Sequence, residues 1–269
     1  MPVESHHIPF RSSELHYLRW GQGPEWLFCF HGYGEDSRSF AYLEKELGAD
    51  YTVIAIDLPF HGKTEWREGL LLEPADLLAL VNQLRPPGQP FHLMGYSMGG
   101  RVALQLLQLV PEEVRSMLLV APDGLHKKIW QKLATHSLIG KRLFKRVMDQ
   151  PKWLLGGLDL ATRLGLYNPT LLKFVHYYLD EREAREMLYQ RWTTMRKFRP
   201  DKKLLKQLIR QNKIPVNLVF GRYDRVILTR YGTAFSQNSE GHIRLTELPA
   251  GHQLLREKYA VILAKFLVK

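Results

Sequence analysis

Short apolar runs alternate with segments of helical periodicity along most of the chain. The runs are five to eight residues long and bounded by glycine and proline, which is typical of strands buried on both faces of a parallel sheet. The segments between them repeat apolar residues every three to four positions and predict amphipathic helices. This alternation predicts an α/β fold with a doubly wound, mostly parallel sheet. The predicted strands are 14–20, 26–30, 51–58, 90–94, 116–120, 214–220 and 243–248, and the predicted helices are 39–47, 74–84, 101–110 and 254–268.

The alternation stops between residues 125 and 213. This stretch keeps helical periodicity, has no convincing strand and contains three of the six tryptophans. A chain of 269 residues with 45% hydrophobic composition can bury one substantial core. We therefore predict one α/β core, formed by residues 1–124 and 214–269, with an inserted helical cap at 125–213.

The positive charge is concentrated in the predicted cap. The chain carries a net charge of +11, whereas residues 125–213 alone hold 21 lysines and arginines against 7 acidic residues. One interpretation is that solvated cations face outward from helices whose apolar faces cover an active-site mouth. A second is an anionic membrane surface as partner, with tryptophan and leucine entering the headgroup region. A third is attraction of an anionic substrate. No recognition motif accompanies the charge, so we expect no nucleic acid partner.

The N-terminal residues predict a chain without a targeting segment. Residues 1–13 are polar and lack the apolar stretch of a signal peptide, and no stretch approaches the roughly 20 apolar residues of a membrane span. The expected location is the cytoplasm, free or peripheral to the inner face of the membrane. His6 and His7 are expected in a flexible, exposed terminus. No Cys or His cluster has the spacing of metal ligands, and we expect neither a metal nor a cofactor.

The segment 95–100, Gly-Tyr-Ser-Met-Gly-Gly, follows an apolar strand and opens a helix. It has the form of the G-x-S-x-G turn, in which a serine hydroxyl is lifted clear of the sheet. The Met98 N–H then stands at a helix start, where it can meet a developing negative charge. Ser97 is therefore a candidate nucleophile.

Two further polar side chains follow predicted strands, Asp224 after 214–220 and His252 after 243–248. The carboxyl ends of parallel strands form one edge of a sheet, so both can meet Ser97 there. A serine hydroxyl needs a base within hydrogen-bond reach, and an imidazole oriented by a carboxylate supplies one. Asp123, after the strand 116–120, is a rival for the acid; Asp224 is preferred because it lies 28 residues before His252 and follows a resumed strand.

The order Ser97, Asp224, His252 and five short motifs resemble the α/β-hydrolase superfamily. The resemblance implies that Tyr33 N–H joins Met98 N–H in an oxyanion hole. Asp57 and His31 are expected to brace their loops, and His61, in place of the glycine usual there, to face solvent. The motifs are residues 31–34, 57–62, 95–100, 221–224 and 251–252.

The expected activity is hydrolysis of a carboxylic ester or thioester with an apolar or acyl substrate, by way of an acyl-enzyme. Dehalogenases and epoxide hydrolases of this fold carry an aspartate at the nucleophile position of the G-x-S-x-G turn, called the elbow. Ser97 at this position argues against both activities. The stretch 95–101 also resembles the menaquinone-pathway cyclohexadiene-carboxylate synthases, lyases that use the triad as a base. Arg101 would then be a substrate-binding residue. A third possibility is a non-catalytic binding or membrane-associating protein that retains the fold.

Overall fold

The computed structural model describes residues 2–126, 138–239 and 241–267. Residues 127–137, which include Lys127, Lys128 and Trp130 of the predicted cap, lie outside the described residues. The contacts divide the chain into two compact units. One unit comprises Met1–Glu68, Leu72–Lys127 and Phe198–Lys269, and the other comprises Gly69–Leu71 and Lys128–Lys197. Compact units need not be independent domains, so the predicted bounds of core and cap stay a prediction.

The first unit is built on one eight-stranded sheet with strand order β1-β2-β4-β3-β5-β6-β7-β8. The strands β1 and β2 run antiparallel to their neighbours, and β3 to β8 are all parallel. Each of the seven predicted strands is present, and the predicted fold class is confirmed. The strands are Glu4–Phe10, Ser13–Trp20, Glu25–Phe30, Tyr51–Ile56, Phe91–Tyr96, Val114–Val120, Val216–Gly221 and Ile243–Leu248.

The central strands are buried because helices cover both faces of the sheet. Every residue of β4 and β5 is buried, as expected for strands with no solvent-facing side. A 3₁₀ segment, Ser37–Leu43, leads into the short helix α1 on one face. The helices of this unit are α1 Glu44–Leu47, α2 Pro74–Gln83, α3 Met98–Leu109, α8 Lys202–Gln211, α9 Thr229–Ser236 and α10 Ala260–Ala264.

Helix α8 belongs to the first unit, although its residues lie within the predicted cap. The chain that leads into it is fastened to α3, because Arg199 N and Asp201 N donate hydrogen bonds to the side-chain oxygens of Gln105 and Gln108, both at 2.8 Å. Asp201 then caps α8 by accepting from Lys203 N at 2.8 Å.

Two predictions about the chain termini are wrong. His6 and His7 do not lie in a flexible terminus but in β1, opposite Tyr17 and His16 of β2. Every residue of this edge strand is exposed or only partly buried, and it lacks the apolar run that marks the central strands. The last helix is also shorter than predicted. Leu254 N bonds to the carbonyl of His252, two residues back, so the backbone turns there and α10 begins only at Ala260.

The described residues of the second unit form four α-helices. They are α4 Leu138–Asp149, α5 Lys152–Arg163, α6 Pro169–Leu179 and α7 Arg182–Thr194. Phe144 of α4 packs against Tyr189 and Trp192 of α7, with ring centroids 5.4 and 5.9 Å apart. None of the helices in the described ranges combines the length and apolar character needed to cross a bilayer.

Polar side chains connect the helices of the second unit. His176 of α6 lies between Asp159 of α5, at 3.2 Å, and Asp180, at 2.9 Å. The side chain of Arg185 donates to the carbonyls of Met148 at 2.8 Å and Leu179 at 2.5 Å. These carbonyls lie in the last turns of α4 and α6, where no intrahelical donor is left for them.

Candidate active site

Ser97 occupies a sharp turn between β5 and α3. Its backbone adopts φ 49° and ψ −113°, an unusual conformation for a residue with a side chain. The turn is possible because the residues two positions before and after Ser97, Gly95 and Gly99, are glycines. A Cβ on Gly95 would lie 2.5 Å from the carbonyl oxygen of Gly99, and a Cβ on Gly99 would lie 1.8 Å from that of Phe30. The start of α3 therefore packs directly against the end of β3.

Backbone hydrogen bonds tie this turn to the neighbouring strand. Ser97 N donates to the carbonyl of Val120 at 3.0 Å, and the carbonyl of Ser97 accepts from Asp123 N at 2.8 Å. The position of the hydroxyl is thus set by β5, α3 and the end of β6 together.

His252 and Asp224 meet Ser97 at the same edge of the sheet. The Nε2 atom of His252 lies 3.1 Å from the Ser97 hydroxyl, and its Nδ1 atom lies 2.7 Å from Oδ2 of Asp224. The loops that carry them are in backbone contact, since a Cβ on Gly221 would lie 2.3 Å from the carbonyl oxygen of Gly251. The structure thus brings together three residues that are 155 positions apart in sequence at their extremes.

The second carboxylate oxygen of Asp224 is also held. Oδ1 accepts from Val226 N at 2.7 Å and from Ile227 N at 2.9 Å. Burial raises the pKa of Asp224, but the hydrogen bonds from His252 and from these backbone groups outweigh burial and keep the pKa below its usual range. Asp224 is therefore a carboxylate, so it accepts a hydrogen bond from the Nδ1–H group of His252, and the Nε2 lone pair is directed towards the serine.

Tyr96 supports the imidazole from the strand side, a role that the sequence analysis did not identify. Its hydroxyl donates to the carbonyl oxygen of His252 at 3.1 Å, and its ring centroid lies 5.5 Å from the imidazole. Burial raises the pKa of Tyr96 well above its usual range, so the phenol stays a donor. In the sequence, only the position of Tyr96 directly before Ser97 could have indicated its contact with His252.

The two candidate oxyanion donors come from adjoining segments. Met98 is the first residue of α3, where backbone N–H groups have no intrahelical acceptor. Tyr33 lies in the loop after β3. That loop adjoins the elbow, since a Cβ on Gly32 would lie 3.0 Å from the ring of Tyr96. Both residues lie in segments that flank Ser97.

The carboxylate of the rival acid, Asp123, has other partners. Its Oδ1 accepts from Gly124 N at 2.8 Å, and its Oδ2 is 3.9 Å from the guanidinium of Arg101. Arg101 is itself largely buried, with 11% of its side chain exposed.

Glu35, which the sequence analysis also missed, adds a carboxyl group close to His252. Burial raises the pKa of Glu35, and hydrogen bonds from Gly32 and Ser39 and the charge of His252 oppose that shift only in part. Its Oε2 atom is buried without a hydrogen-bond partner among the described residues. Glu35 directly follows the motif at 31–34, and this is the only signal that the sequence offers.

Asp57 anchors the loop between β4 and α2. It accepts from Ser37 N at 2.6 Å and Lys63 N at 2.9 Å, and it lies 2.7 Å from Nδ1 of His16. The Nε2 atom of His16 is in turn 2.8 Å from the Ser5 hydroxyl. The protein thus contains a second Ser-His-Asp arrangement, in which the histidine and aspartate are buried in the first unit.

The two histidines near this loop are both buried. Nε2 of His31 accepts from Leu58 N at 3.0 Å, and its Nδ1 lies 2.8 Å from the carbonyl of Gly32, so it connects two loops. His61 packs against His31 with ring centroids 4.8 Å apart and is 2% exposed. The expectation that His61 faces solvent is wrong, because its Nδ1 turns inward to the carbonyl of Pro59 at 2.9 Å.

Within the described residues, no group of three or more His, Cys, Asp or Glu side chains is arranged to hold a metal ion. The chemistry that this site offers is a hydroxyl, an imidazole and a carboxylate in a hydrogen-bonded chain, beside backbone N–H groups.

Comparison with known proteins agrees with this fold. Residues 27–264 match a family described as the alpha/beta hydrolase family. The chain belongs to this family, and the resemblance inferred from the short motifs is confirmed.

The relatives found by sequence are matched over only part of their length. The chain is 38% identical over 119 residues to a dihydrolipoyllysine-residue acetyltransferase component of the acetoin cleaving system from Pseudomonas putida, covering 42% of this chain and 32% of that protein. It is 34% identical over 124 residues to a pimeloyl-[acyl-carrier protein] methyl ester esterase from Aeromonas salmonicida, covering 45% and 48%. The match thus spans a third to a half of these relatives. A thermophilic esterase from Thermogutta terrifontis has a similar fold, with a TM-score of 0.66, 18% identity and coverage of 99% and 98%.

Proposed function

We propose that this chain is a serine hydrolase that cleaves a carboxylic ester or thioester through an acyl-enzyme. The observation that carries the proposal is the hydrogen-bonded chain from Asp224 through His252 to the Ser97 hydroxyl, at 2.7 and 3.1 Å. The distance of 3.1 Å between His252 and Ser97 is within the range that proton transfer between a nucleophile and its base requires, and the 2.7 Å contact with Asp224 orients the imidazole.

In the proposed reaction, Nε2 of His252 takes the hydroxyl proton as Oγ of Ser97 attacks the substrate carbonyl carbon. The carbonyl π electrons move to oxygen, and the N–H groups of Met98 and Tyr33 stabilise the resulting oxyanion. Asp224 holds the imidazole tautomer and stabilises the imidazolium without taking its proton. Collapse of the tetrahedral intermediate returns the proton to the departing alcohol or thiol. Water, with its proton taken by His252 in the same way, then attacks the acyl-enzyme carbonyl and releases the acid and the free Ser97 hydroxyl.

The proposed substrate class is an ester or thioester with an apolar acyl group. The esterase from Aeromonas salmonicida named above, which shares 34% identity over the matched segment, supports ester chemistry. The acyl length is a question for experiment, and a series of esters answers it directly.

The lyase alternative, with Arg101 as a substrate-binding residue, has less support. An arginine that recognises a substrate carboxylate must direct its guanidinium towards the ligand, whereas Arg101 lies beside the carboxylate of Asp123. A non-catalytic binding protein has no need of a hydrogen-bonded serine, histidine and aspartate whose serine stands in a strained turn at a helix start. We therefore put hydrolysis first.

The test is a series of p-nitrophenyl esters of increasing acyl length, assayed with the wild type and with Ser97→Ala. We expect a burst of p-nitrophenol from the wild type and a loss of about 10⁴-fold or more in kcat for Ser97→Ala. Ser5→Ala is a matched control, because it removes the same hydroxyl from the other Ser-His-Asp arrangement. Its activity should stay within about twofold of the wild type, as for most substitutions outside an active site.

Full activity of a folded Ser97→Ala protein would refute the proposal. A wild type that is folded but inert towards every ester of the series would also contradict it. The related lyases eliminate pyruvate from their substrate. A wild type that is inert towards the esters but catalyses such an elimination would support the lyase alternative.

A further inference from the structure

The outer face of α5 carries a stripe of large apolar side chains. Trp153, Leu160 and Leu164 are 50%, 58% and 64% exposed, and Leu166 in the following turn is 78% exposed. At 100° per residue, Trp153, Leu160 and Leu164 fall within about 40° of one another around the helix axis. They therefore form one strip about 16 Å long on the axis of the helix.

The stripe has an open surface between its large residues. Gly156 and Gly157 lie between Trp153 and Leu160, and a Cβ added to either glycine would meet no atom of the other described residues within 4 Å beyond the helix's own backbone. The opposite side of the helix is buried at Leu155. Helix α5 thus packs through one face. The described residues leave its opposite, apolar face uncovered, and an exposed apolar patch of this kind is typical of an interaction surface.

Cations flank the stripe. Lys152 and Arg163 are exposed at the two ends of α5, and neither has a carboxylate partner among the described residues. The one acidic residue of this helix, Asp159, is 3.2 Å from His176. Helix α4 repeats this mixture, with exposed Ile139 and Leu143 next to arginines 142 and 146 in helical spacing.

We propose that this face of the second unit binds the surface of an anionic lipid bilayer. Exposed tryptophan and leucine gain by entering the headgroup region, and the flanking cations gain by lying near anionic headgroups. A second copy of the chain fits less well, because it would bring the same cations together. An acidic protein would satisfy the cations but leave the apolar stripe without a comparable partner. The proposal does not depend on the hydrolase activity.

The experiment is co-sedimentation with vesicles of phosphatidylcholine alone and of phosphatidylcholine with phosphatidylglycerol, at low and high salt. We expect binding to the anionic vesicles that weakens as salt screens the charges, and little binding to the neutral ones. Lys152→Gln with Arg163→Gln should weaken binding about thirtyfold, since each cation near such a surface contributes about fivefold. Leu160→Gln with Leu164→Gln should weaken it about tenfold or more.

Matched controls separate this face from general charge and from misfolding. Lys202→Gln with Lys203→Gln removes two cations from α8 in the first unit, and Leu109→Gln removes an exposed leucine at the end of α3. Both should bind within about threefold of the wild type, the effect of distant surface changes. Ser97→Ala should bind as the wild type does. Circular dichroism checks that each variant is folded.

Three results would overturn the proposal. The first is a wild type that stays in solution with anionic vesicles at low salt. The second is equal loss of binding in the α5 variants and the controls, which would indicate an effect of net charge alone. The third is concentration-dependent self-association without lipid that Leu160→Gln with Leu164→Gln abolishes, which would assign the stripe to a second copy of the chain.

Discussion

Replacing Asp224 by asparagine tests the proposed mechanism most directly. Oδ1 of Asp224 accepts two backbone N–H groups, from Val226 and Ile227, so the asparagine carbonyl oxygen should take that position. The amide NH₂ then faces Nδ1 of His252 in place of Oδ2. Because NH₂ can only donate, Nδ1 must accept, and the ring proton moves to Nε2. The imidazole would then present N–H to the Ser97 hydroxyl and could not take its proton.

The expected loss is large because the geometry stays intact while the base is disabled. The same replacement in a serine protease triad lowers kcat about 10⁴-fold, which corresponds to about 5.5 kcal/mol of transition-state stabilisation. The stability of the variant should change little, since both backbone hydrogen bonds to the side chain are kept. The assay is kcat and kcat/KM on the best ester of the series, with thermal unfolding measured in parallel.

Asp123→Asn is the matched control. Asp123 also follows a buried strand, but its carboxylate lies beside Gly124 N and Arg101. We expect less than about tenfold loss of kcat from this change. The assignment of the acid would be refuted if Asp123→Asn lost activity about 10⁴-fold while a folded Asp224→Asn protein kept it.

Three further predictions concern the elbow and two titrating groups. Gly99→Ala should lower the free energy of unfolding in urea by about 3 kcal/mol or more, because its Cβ would collide with the backbone of Phe30, whereas Gly157→Ala should raise it by about 0.5–1 kcal/mol. Burial raises the pKa of Glu35, so the folded protein holds the carboxyl proton more tightly than the unfolded chain does. The stability of the fold should therefore fall as pH rises above about 4.3 and through the folded-state pKa. Glu35→Gln should remove this pH dependence from the thermal unfolding temperature. Hydrogen bonds to its two aspartates raise the pKa of His176, so its NMR titration should lie above about 6.5, and its contribution to stability should be lost as pH rises through the folded-state pKa.

The sheet and two of the candidate site residues follow from the sequence for one physical reason. Strands buried on both faces must be continuously apolar, so their ends are easy to locate, and a polar residue directly after such an end lies at the edge of the sheet. Ser97 directly follows the buried strand β5, and His252 lies four residues after the end of the partly exposed edge strand β8. No residue of the edge strand β1 is fully buried, so the strand carries no apolar run, and periodicity could not distinguish it from a polar terminus.

The choice between Asp224 and Asp123 could not be made from position alone. Both aspartates follow the ends of neighbouring parallel strands, β6 and β7, so both are candidates by the same rule. Hydrogen bonding separates them in the structure. Backbone groups of residues 226 and 227 hold one oxygen of Asp224 and leave the other for His252, whereas Asp123 is oriented by Gly124 N. Such differences depend on loop conformation, which the sequence pattern does not encode.

The second Ser-His-Asp arrangement shows why residue types and distances do not define a nucleophile by themselves. The Ser5 hydroxyl lies 2.8 Å from His16, whose other nitrogen is 2.7 Å from Asp57, so the hydrogen bonds match those at Ser97. The surroundings differ. Ser5 is part of a regular antiparallel strand, whereas Ser97 stands at the first turn of α3, where backbone N–H groups lack intrahelical acceptors and can stabilise an oxyanion. It is therefore the strained turn and the helix start, together with the hydrogen-bonded chain, that make Ser97 the candidate nucleophile.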